Sequence, residues 1–360
     1  MEQIGIHTSD RLLFKRCRRK WGWQSRLRAN LVPHESRPNP NLWFGSGWHF
    51  AMEDYHGYRR FPEMGDALEA YVRAHPENLR PYEWESLLEM GRGMADYYTR
   101  YWYQRHSEYQ TLWLDESGNQ TRPGTGIPQL EIDFELDIPG VQIPFGGTFD
   151  GMLVDAYGSW WIKEIKTAKK MDIGKLDTDP QITGYCLAAE RHYHHDIAGV
   201  IYLQFRKAVP QVPPLLKSGE DFSTDLAKLH TTYDVYRRSV FERFNDIPDR
   251  YEAILDKLRD LETFEGNGFI RIDRVERNQH QIDAESPKLA WEAADMMNPD
   301  LPLYPNPTYM CDTDCDFKAA CLAMDDGSDW EGILEDEFEP RKESFYWRNR
   351  LKYPDVKIES

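Results

Sequence analysis

Nowhere in the 360 residues is there a run approaching the roughly 20 apolar residues that a bilayer-spanning helix needs, and the mean hydropathy is −0.72. A chain that threads the membrane as helices is thereby excluded. The opening MEQIGIHTSDRLLFKRCRRKW lacks the ordered basic stretch, apolar stretch and small-residue cleavage site of a secretory signal, so a cytoplasmic protein is expected. Cysteine is scarce. Five unevenly placed thiols do not make a disulfide framework, and in a reducing compartment they remain free for metal. Internal repeats and low-complexity tracts are missing as well. Positive charge is in deficit, with 44 Lys and Arg against 61 Asp and Glu, and the net charge of −17 argues against a polyanionic partner.

The distribution of charge softens that objection. Eight acids and no Lys or Arg lie between Asp325 and Glu339, so nearly half of the excess sits in one segment. Conversely, Arg11, Lys15, Arg16, Arg18, Arg19, Lys20, Arg26 and Arg28 follow one another with only Asp10 beside them. Charge alone fits a phosphate-binding face and a solvated helix equally well.

Along the chain, Thr8-Ser9-Asp10 reads as a cap opening a basic helix over 8–30 that carries Cys17. After a proline-marked loop (Pro33, Pro38, Pro40), the small residues of LWFGSGWHFAMEDYHGY lead into a helix with His49 and Glu53, and 65–108 reads as two further helices. From Gln129 the period changes to two, giving three antiparallel strands in LEIDFELDI, IPFGGTFDGMLVD and SWWIKEIKT. Asp179-Pro180 caps the helix QITGYCLAAERHY, and the strand GVIYLQFRK returns, which together indicate an α/β fold. The expected organisation is a core over 1–210, a mainly helical insertion over 211–300 with a short strand at GFIRIDRV, a cysteine segment over 301–324, and an acidic segment and basic-aromatic tail over 325–360.

One hairpin carries the strongest chemistry. Ala156-Tyr157-Gly158 places glycine where a three-residue loop needs a left-handed residue, and the resulting register sets Asp150 opposite Glu164, with Lys166 on the face of Glu164. Opposed side chains about 5 Å apart suit two carboxylates holding one hard divalent cation. A strand-end acid beside an exposed Glu-Lys stripe has the same spacing.

GGTFDG followed by WIKEIKT closely resembles the RecB-like signature of the PD-(D/E)xK nucleases, a G-x-x-D and then an E-x-K-T strand. FGSGWH resembles the upstream G-x-x-x-H, here Gly45 and His49, and QITGY the downstream Q-x-x-x-Y, here Gln181 and Tyr185. The resemblance implies a restriction-endonuclease-like core, a mixed sheet flanked by helices, that cleaves DNA with Mg²⁺ or Mn²⁺. It implies His49, Asp150 and Glu164 as metal ligands, Lys166 as the water-orienting residue, and Gln181 and Tyr185 as supports of Lys166 or contacts to DNA. The expected substrate is DNA with a single-stranded or free end, and the expected setting is recombination, repair or related processing.

Cys311, Cys315 and Cys321 form C-x3-C-x5-C, which suggests thiolate ligation, and Cys17 is the candidate fourth ligand. By resemblance to CRISPR-associated exonucleases and related subunits, these four imply a [4Fe-4S] cluster joining the two ends. The first gap is one residue longer than the family's, and zinc suits four thiolates equally. Cys186 reads as a small core residue. Two rival readings are a non-catalytic iron–sulfur or zinc scaffold that binds DNA ends, and a zinc-stabilised interaction protein that never meets nucleic acid.

Overall fold

The computed structural model describes residues 5–34, 40–74, 81–103, 108–171, 174, 176–263 and 265–341; Pro38 and the basic-aromatic tail lie outside them. Seven strands form a mixed central sheet. They are β1 (Ile6–His7), β2 (Tyr109–Thr111), β3 (Leu130–Leu136), β4 (Phe145–Asp155), β5 (Trp160–Ala168), β6 (Ile197–Arg206) and β7 (Ile270–Glu276). The long strand β4 pairs antiparallel with β3 and β2 on one edge, and on the other with β1 in parallel and β5 antiparallel.

The turn between β4 and β5 sets their register as its glycine dictates. Gly158 has φ +86°, and the Asp155 carboxylate accepts hydrogen bonds from the Tyr157 and Ser159 N–H groups at 2.9 Å each. The ladder then runs from Val154–Trp160 to Gly151–Lys163, which places Asp150 at the level of Glu164 as expected.

The helices that cover the sheet or extend from it are α1 (Thr8–Arg16), α2 (Arg18–Gln24), α3 (Pro40–Glu53), α4 (Met64–Ala74), α5 (Pro81–Tyr97), α6 (Pro180–Tyr193), α7 (Tyr233–Phe244), α8 (Glu252–Asp260) and α9 (Gln279–Met297). Helix α6 links β5 to the parallel strand β6, and its first turn is fixed by Asp179, whose carboxylate accepts from Gln181 N–H at 2.8 Å, with Pro180 following. One sheet face buries Phe149, Met152, Ile162 and Val200 against Phe14, Trp21, Ile182, Leu187 and Leu289 of α1, α2, α6 and α9. The other buries Leu153, Trp161, Ile165 and Leu203 against Trp43, Trp48, Leu68 and Met94 of α3, α4 and α5. Helices on both faces of a mixed sheet make the α/β architecture expected from the sequence. Among the described residues no helix is long and apolar enough to cross a membrane.

The segment 211–300 is helical in α7, α8 and α9, and α7 and α8 close a small core of their own around Tyr236, Tyr251 and Leu258. It is not external to the main fold, because β7 pairs antiparallel with β6 and α9 packs on the sheet. The helix expected over 8–30 is two helices. Cys17 interrupts it with an extended backbone (φ −161°, ψ 109°), and its sulfur accepts the Lys20 N–H at 3.5 Å. The first cap is His7 with Asp10, not Thr8-Ser9. Gly45 and Gly47 lie inside α3 and do not precede it; a Cβ on Gly47 would stand 2.9 Å from Leu68, so the glycine permits close packing of α3 on α4.

From Arg11 to Lys20 the basic stretch is paired within the protein, whereas Arg26 is exposed. Arg11 pairs with Glu285 and Glu292, Lys15 with Glu292, Arg16 with Asp314, Arg18 with Asp295 and Arg19 with Asp325. Lys20 donates to the Asp314 carbonyl at 2.7 Å. These cations clasp the N-terminal helices to the segment 285–325.

Candidate metal and active site

Phe149 and Met152 both sit in the core on the α6 side, although an odd separation in a regular strand sends side chains to opposite faces. The alternation therefore slips at Asp150–Gly151. Across the β3–β4 ladder, Ile132 pairs with Phe149 and Leu130 with Gly151, so Glu131 stands level with Asp150. Glu131 adopts a left-handed backbone, φ +49°, which costs a non-glycine residue about 1 kcal/mol. The slip turns both carboxylates towards α3.

Helix α3 delivers His49 to them. Its Nδ1 lies 3.1 Å from Glu131 Oε1 and 3.2 Å from Asp150 Oδ1, and the ligand atoms of the three residues lie within 4.8 Å of one another. Neighbouring ligands of an octahedral Mg²⁺ at about 2.1 Å stand about 3.0 Å apart, so one imidazole nitrogen and two carboxylate oxygens fit a hard divalent cation. Burial disfavours a charged imidazole, but Asp150 and Glu131 outweigh it and lift His49 to about 10. Asp150 stays below its ordinary value despite burial because of His49, Lys166 and the Ile165 N–H, which donates to its Oδ2 at 2.6 Å. That bond continues the β4–β5 ladder with a side chain where the main-chain pairing stops.

Glu164 occupies the neighbouring position, outside the His49–Glu131–Asp150 set. Its Oε1 accepts from Gln181 Nε2 at 2.9 Å and pairs with Lys166, while its Oε2 is buried without a hydrogen-bond partner. Burial, opposed by Lys166, raises its pKa. An orphaned, buried carboxylate oxygen beside a set of ligand atoms is a further place for a cation to be satisfied. Lys166 keeps 43% of its side chain exposed, and Glu164 orients its ammonium. Tyr185 packs edge-on to Phe134 and Phe149, and burial together with Glu164 raises its pKa. The six residues His49, Asp150, Glu164, Lys166, Gln181 and Tyr185 are thus gathered at one place.

Three further groups belong to this site that sequence reasoning did not single out. Glu131 falls at an outward position of the alternating run LEIDFEL, and no sequence signal marks its left-handed backbone. Lys163 is 1% exposed; burial lowers it to about 8 against the opposing pull of Asp150, Glu131 and Glu53. Glu53, one turn beyond His49 on α3, is also buried. A glutamate four residues after a histidine on one helix was the available signal.

The four sequence-distant cysteines come together around the start of α2. Cys315 lies within electrostatic reach of Cys311 and Cys17, and Arg19 donates to Cys321 Sγ at 3.2 Å. Thr308 N–H points to Cys311 Sγ at 3.4 Å. Cys315 and Cys321 border a small core of Trp23, Phe317, Leu334 and Phe338 that joins the two ends of the chain. Among the described residues, no three of these sulfurs lie within 4.8 Å of one another, whereas thiolates about 2.3 Å from one tetrahedral zinc stand about 3.8 Å apart. Cys186 is buried in the core of α6, as expected, where burial raises its thiol to about 12.

In comparison with known proteins, the family model described as the PD-(D/E)XK nuclease superfamily matches residues 10–322, a span that includes 211–300. No curated protein matches the chain.

Proposed function

The chain belongs to the PD-(D/E)XK nuclease superfamily, and from that premise we propose that it is a divalent-metal-dependent deoxyribonuclease of the RecB-like branch. The observation that carries the reading is the convergence of His49, Glu131, Asp150, Glu164 and Lys166 where the β4–β5 ladder lapses. In this reading His49, Asp150 and Glu164 hold the metal, and Glu131 completes the set. When bound, Mg²⁺ or Mn²⁺ supplies charge neutralisation at the scissile phosphate and acidifies nearby water.

The protein's own groups do the rest. Asp150 is fixed by the Ile165 N–H, so its other oxygen is presented towards His49. Gln181 holds Glu164, and Glu164 aims Lys166. The Lys166 ammonium donates to the attacking water or to the phosphate oxygen on which charge develops. Tyr185 walls the site from the α6 side. The substrate is DNA entered from a free, single-stranded end, in recombination or repair; the likeness of the motifs to the RecB-like signature supports this.

In this reading Cys17, Cys311, Cys315 and Cys321 hold a [4Fe-4S] cluster; the likeness of their order to the cysteine pattern of the RecB-like exonucleases supports it, and zinc, which suits four thiolates equally, is the alternative. The cluster's role is structural, restraining both ends of the chain.

The test is incubation of purified protein with end-labelled single-stranded and duplex DNA in Mn²⁺, Mg²⁺ or EDTA, beside Asp150→Asn. Metal-dependent shortening by the wild type, reduced by about 10³ or more in the variant, is expected. Equal activity in both would remove the site assignment.

A further inference from the structure

The cations most conspicuous in the sequence are consumed inside the protein. Arg11, Lys15, Arg16, Arg18 and Arg19 all face carboxylates of 285–325. A nuclease with net charge −17 still needs positive groups where a phosphate chain approaches its site. A second set, which no motif marks, stands at the carboxyl ends of the parallel strands β5 and β6.

Lys166 lies near the end of β5, and Lys169 and Lys170 follow it, both exposed and without an ion pair among the described residues. Ala168 pairs with Arg206, so the next residues, Lys169 and Lys207, stand side by side. The Lys207 N–H closes onto the Ala168 carbonyl at 2.8 Å, which locks this proximity. Lys207 Nζ reaches the Asn41 carbonyl at 3.0 Å in the first turn of α3, the helix that carries His49 two turns later. Partial burial, together with the neighbouring Lys169, pushes the Lys207 ammonium below its ordinary pKa. Like charges held together without counter-charge cost energy that an anion would relieve. Lys169 lies about 10 Å beyond Lys166 along the chain, and Lys207 beside it touches the first turn of α3, so the set stands at the edge of the site that His49 enters. Carboxyl ends of parallel strands are also where α/β sheets present their ligand crevices.

We propose that Lys169, Lys170 and Lys207 form the track along which the phosphates of the DNA strand lie as it enters the site at Lys166. The inference rests on the nuclease reading and adds the path of the substrate. It also assigns the N-terminal arginines to folding and not to DNA.

The experiment measures binding of a fluorescent oligo-dT by anisotropy in EDTA over a series of KCl concentrations. It compares the wild type with Lys169→Gln/Lys170→Gln/Lys207→Gln and with Arg16→Gln/Arg18→Gln. Each phosphate contact to a single strand contributes about 0.7 to the slope of log K against log salt, so the lysine variant should lose about 2 from the slope while the arginine variant keeps the wild-type value. Lys169 and Lys170 are exposed and Lys207 is half-buried against Asn41, so the thermal midpoint of each variant is measured to confirm that it is folded at the assay temperature. A lysine variant with the wild-type slope, or an arginine variant with the larger loss, overturns the track. Wild-type cleavage in Mn²⁺ with an unaltered slope in the lysine variant sinks the track alone; a wild type that neither binds nor cuts takes down the nuclease reading with it.

Discussion

Arg11→Met should be among the most destabilising single changes in the protein. The Arg11 side chain is 3% exposed, with its guanidinium 2.6 Å from Glu285 Oε1 and 2.7 Å from Glu292 Oε2 and lying over the Phe145 ring. Methionine preserves most of the apolar stem, so the loss is electrostatic. Two charge-assisted hydrogen bonds at about 1.5–3 kcal/mol each suggest about 3–6 kcal/mol, and breaking one side of a buried ion pair costs about 3–5 kcal/mol. Glu285 is equally buried and would retain only Lys288 at 3.7 Å, whereas Glu292 would keep Lys15 at 2.6 Å. The penalty therefore falls mainly on Glu285, at about 3–4 kcal/mol. Urea unfolding followed by tryptophan fluorescence and far-ultraviolet dichroism measures it as a lower midpoint with unchanged slope. Arg11→Met/Glu285→Met should recover a large part, because two apolar side chains leave no buried charge behind. A loss below about 1 kcal/mol in the single variant, or a double variant equal to the sum of the singles, would refute the account.

Four other outcomes are expected. Glu131→Gln should weaken Mn²⁺ binding by about 10–100-fold in calorimetry; unchanged affinity would exclude Glu131 from the donor set. Lys163→Met removes a positive charge that faces Asp150 and Glu131, so Mn²⁺ affinity should rise about tenfold, and a fall would contradict the assigned placement. Cys311→Ser should abolish visible absorption of the purified protein; a colourless wild type containing one equivalent of zinc would decide against iron–sulfur. Glu292 is held below its ordinary pKa by Arg11 and Lys15, against burial, so its contribution is complete above about pH 5 and is lost as pH falls through its depressed value. The difference in stability between wild type and Glu292→Gln should accordingly shrink on acidification, and a difference that grows towards low pH would show that the sign is reversed.

The register of the central hairpin was legible because a single glycine turn dictates it, and a wrong pairing would have inverted every side chain from Met152 to Ile162. Helix α6 was legible because Asp179-Pro180 is a local start signal. What local rules did not reach is the slip at Asp150–Gly151. It depends on a glutamate adopting a backbone that glutamate does not favour, and only the convergence of β3, β4 and α3 holds it there. The basic run of 11–20 failed for a different reason. Its composition is local, but its partners lie some 270–310 residues away, at Glu285, Glu292, Asp295, Asp314 and Asp325. The strand Ile270–Glu276 could be read from its alternation, whereas its place beside β6 is a long-range fact that alternation does not encode.

These failures share a cause with the chemistry. A left-handed glutamate, a carboxylate oxygen without a partner and a lysine that is 1% exposed are each unfavourable alone, and all three lie within one small region of a sheet otherwise packed on both faces. Glu131 departs from regular strand pairing, and with Asp150 and Glu164 it concentrates negative charge facing His49, Lys163 and Lys166. The surrounding layers resist relaxation: α3 packs closely on α4 at Gly47, α6 is fixed by its Asp179 cap, and β5 buries its own Trp160 and Trp161 in the cores on opposite faces of the sheet. Unfavourable local geometry can persist only where neighbouring packing over-determines it. The rigid three-layer scaffold and the strained carboxylate set are therefore two halves of one arrangement, and a ligand that binds only the assembled carboxylates stabilises the folded protein by mass action.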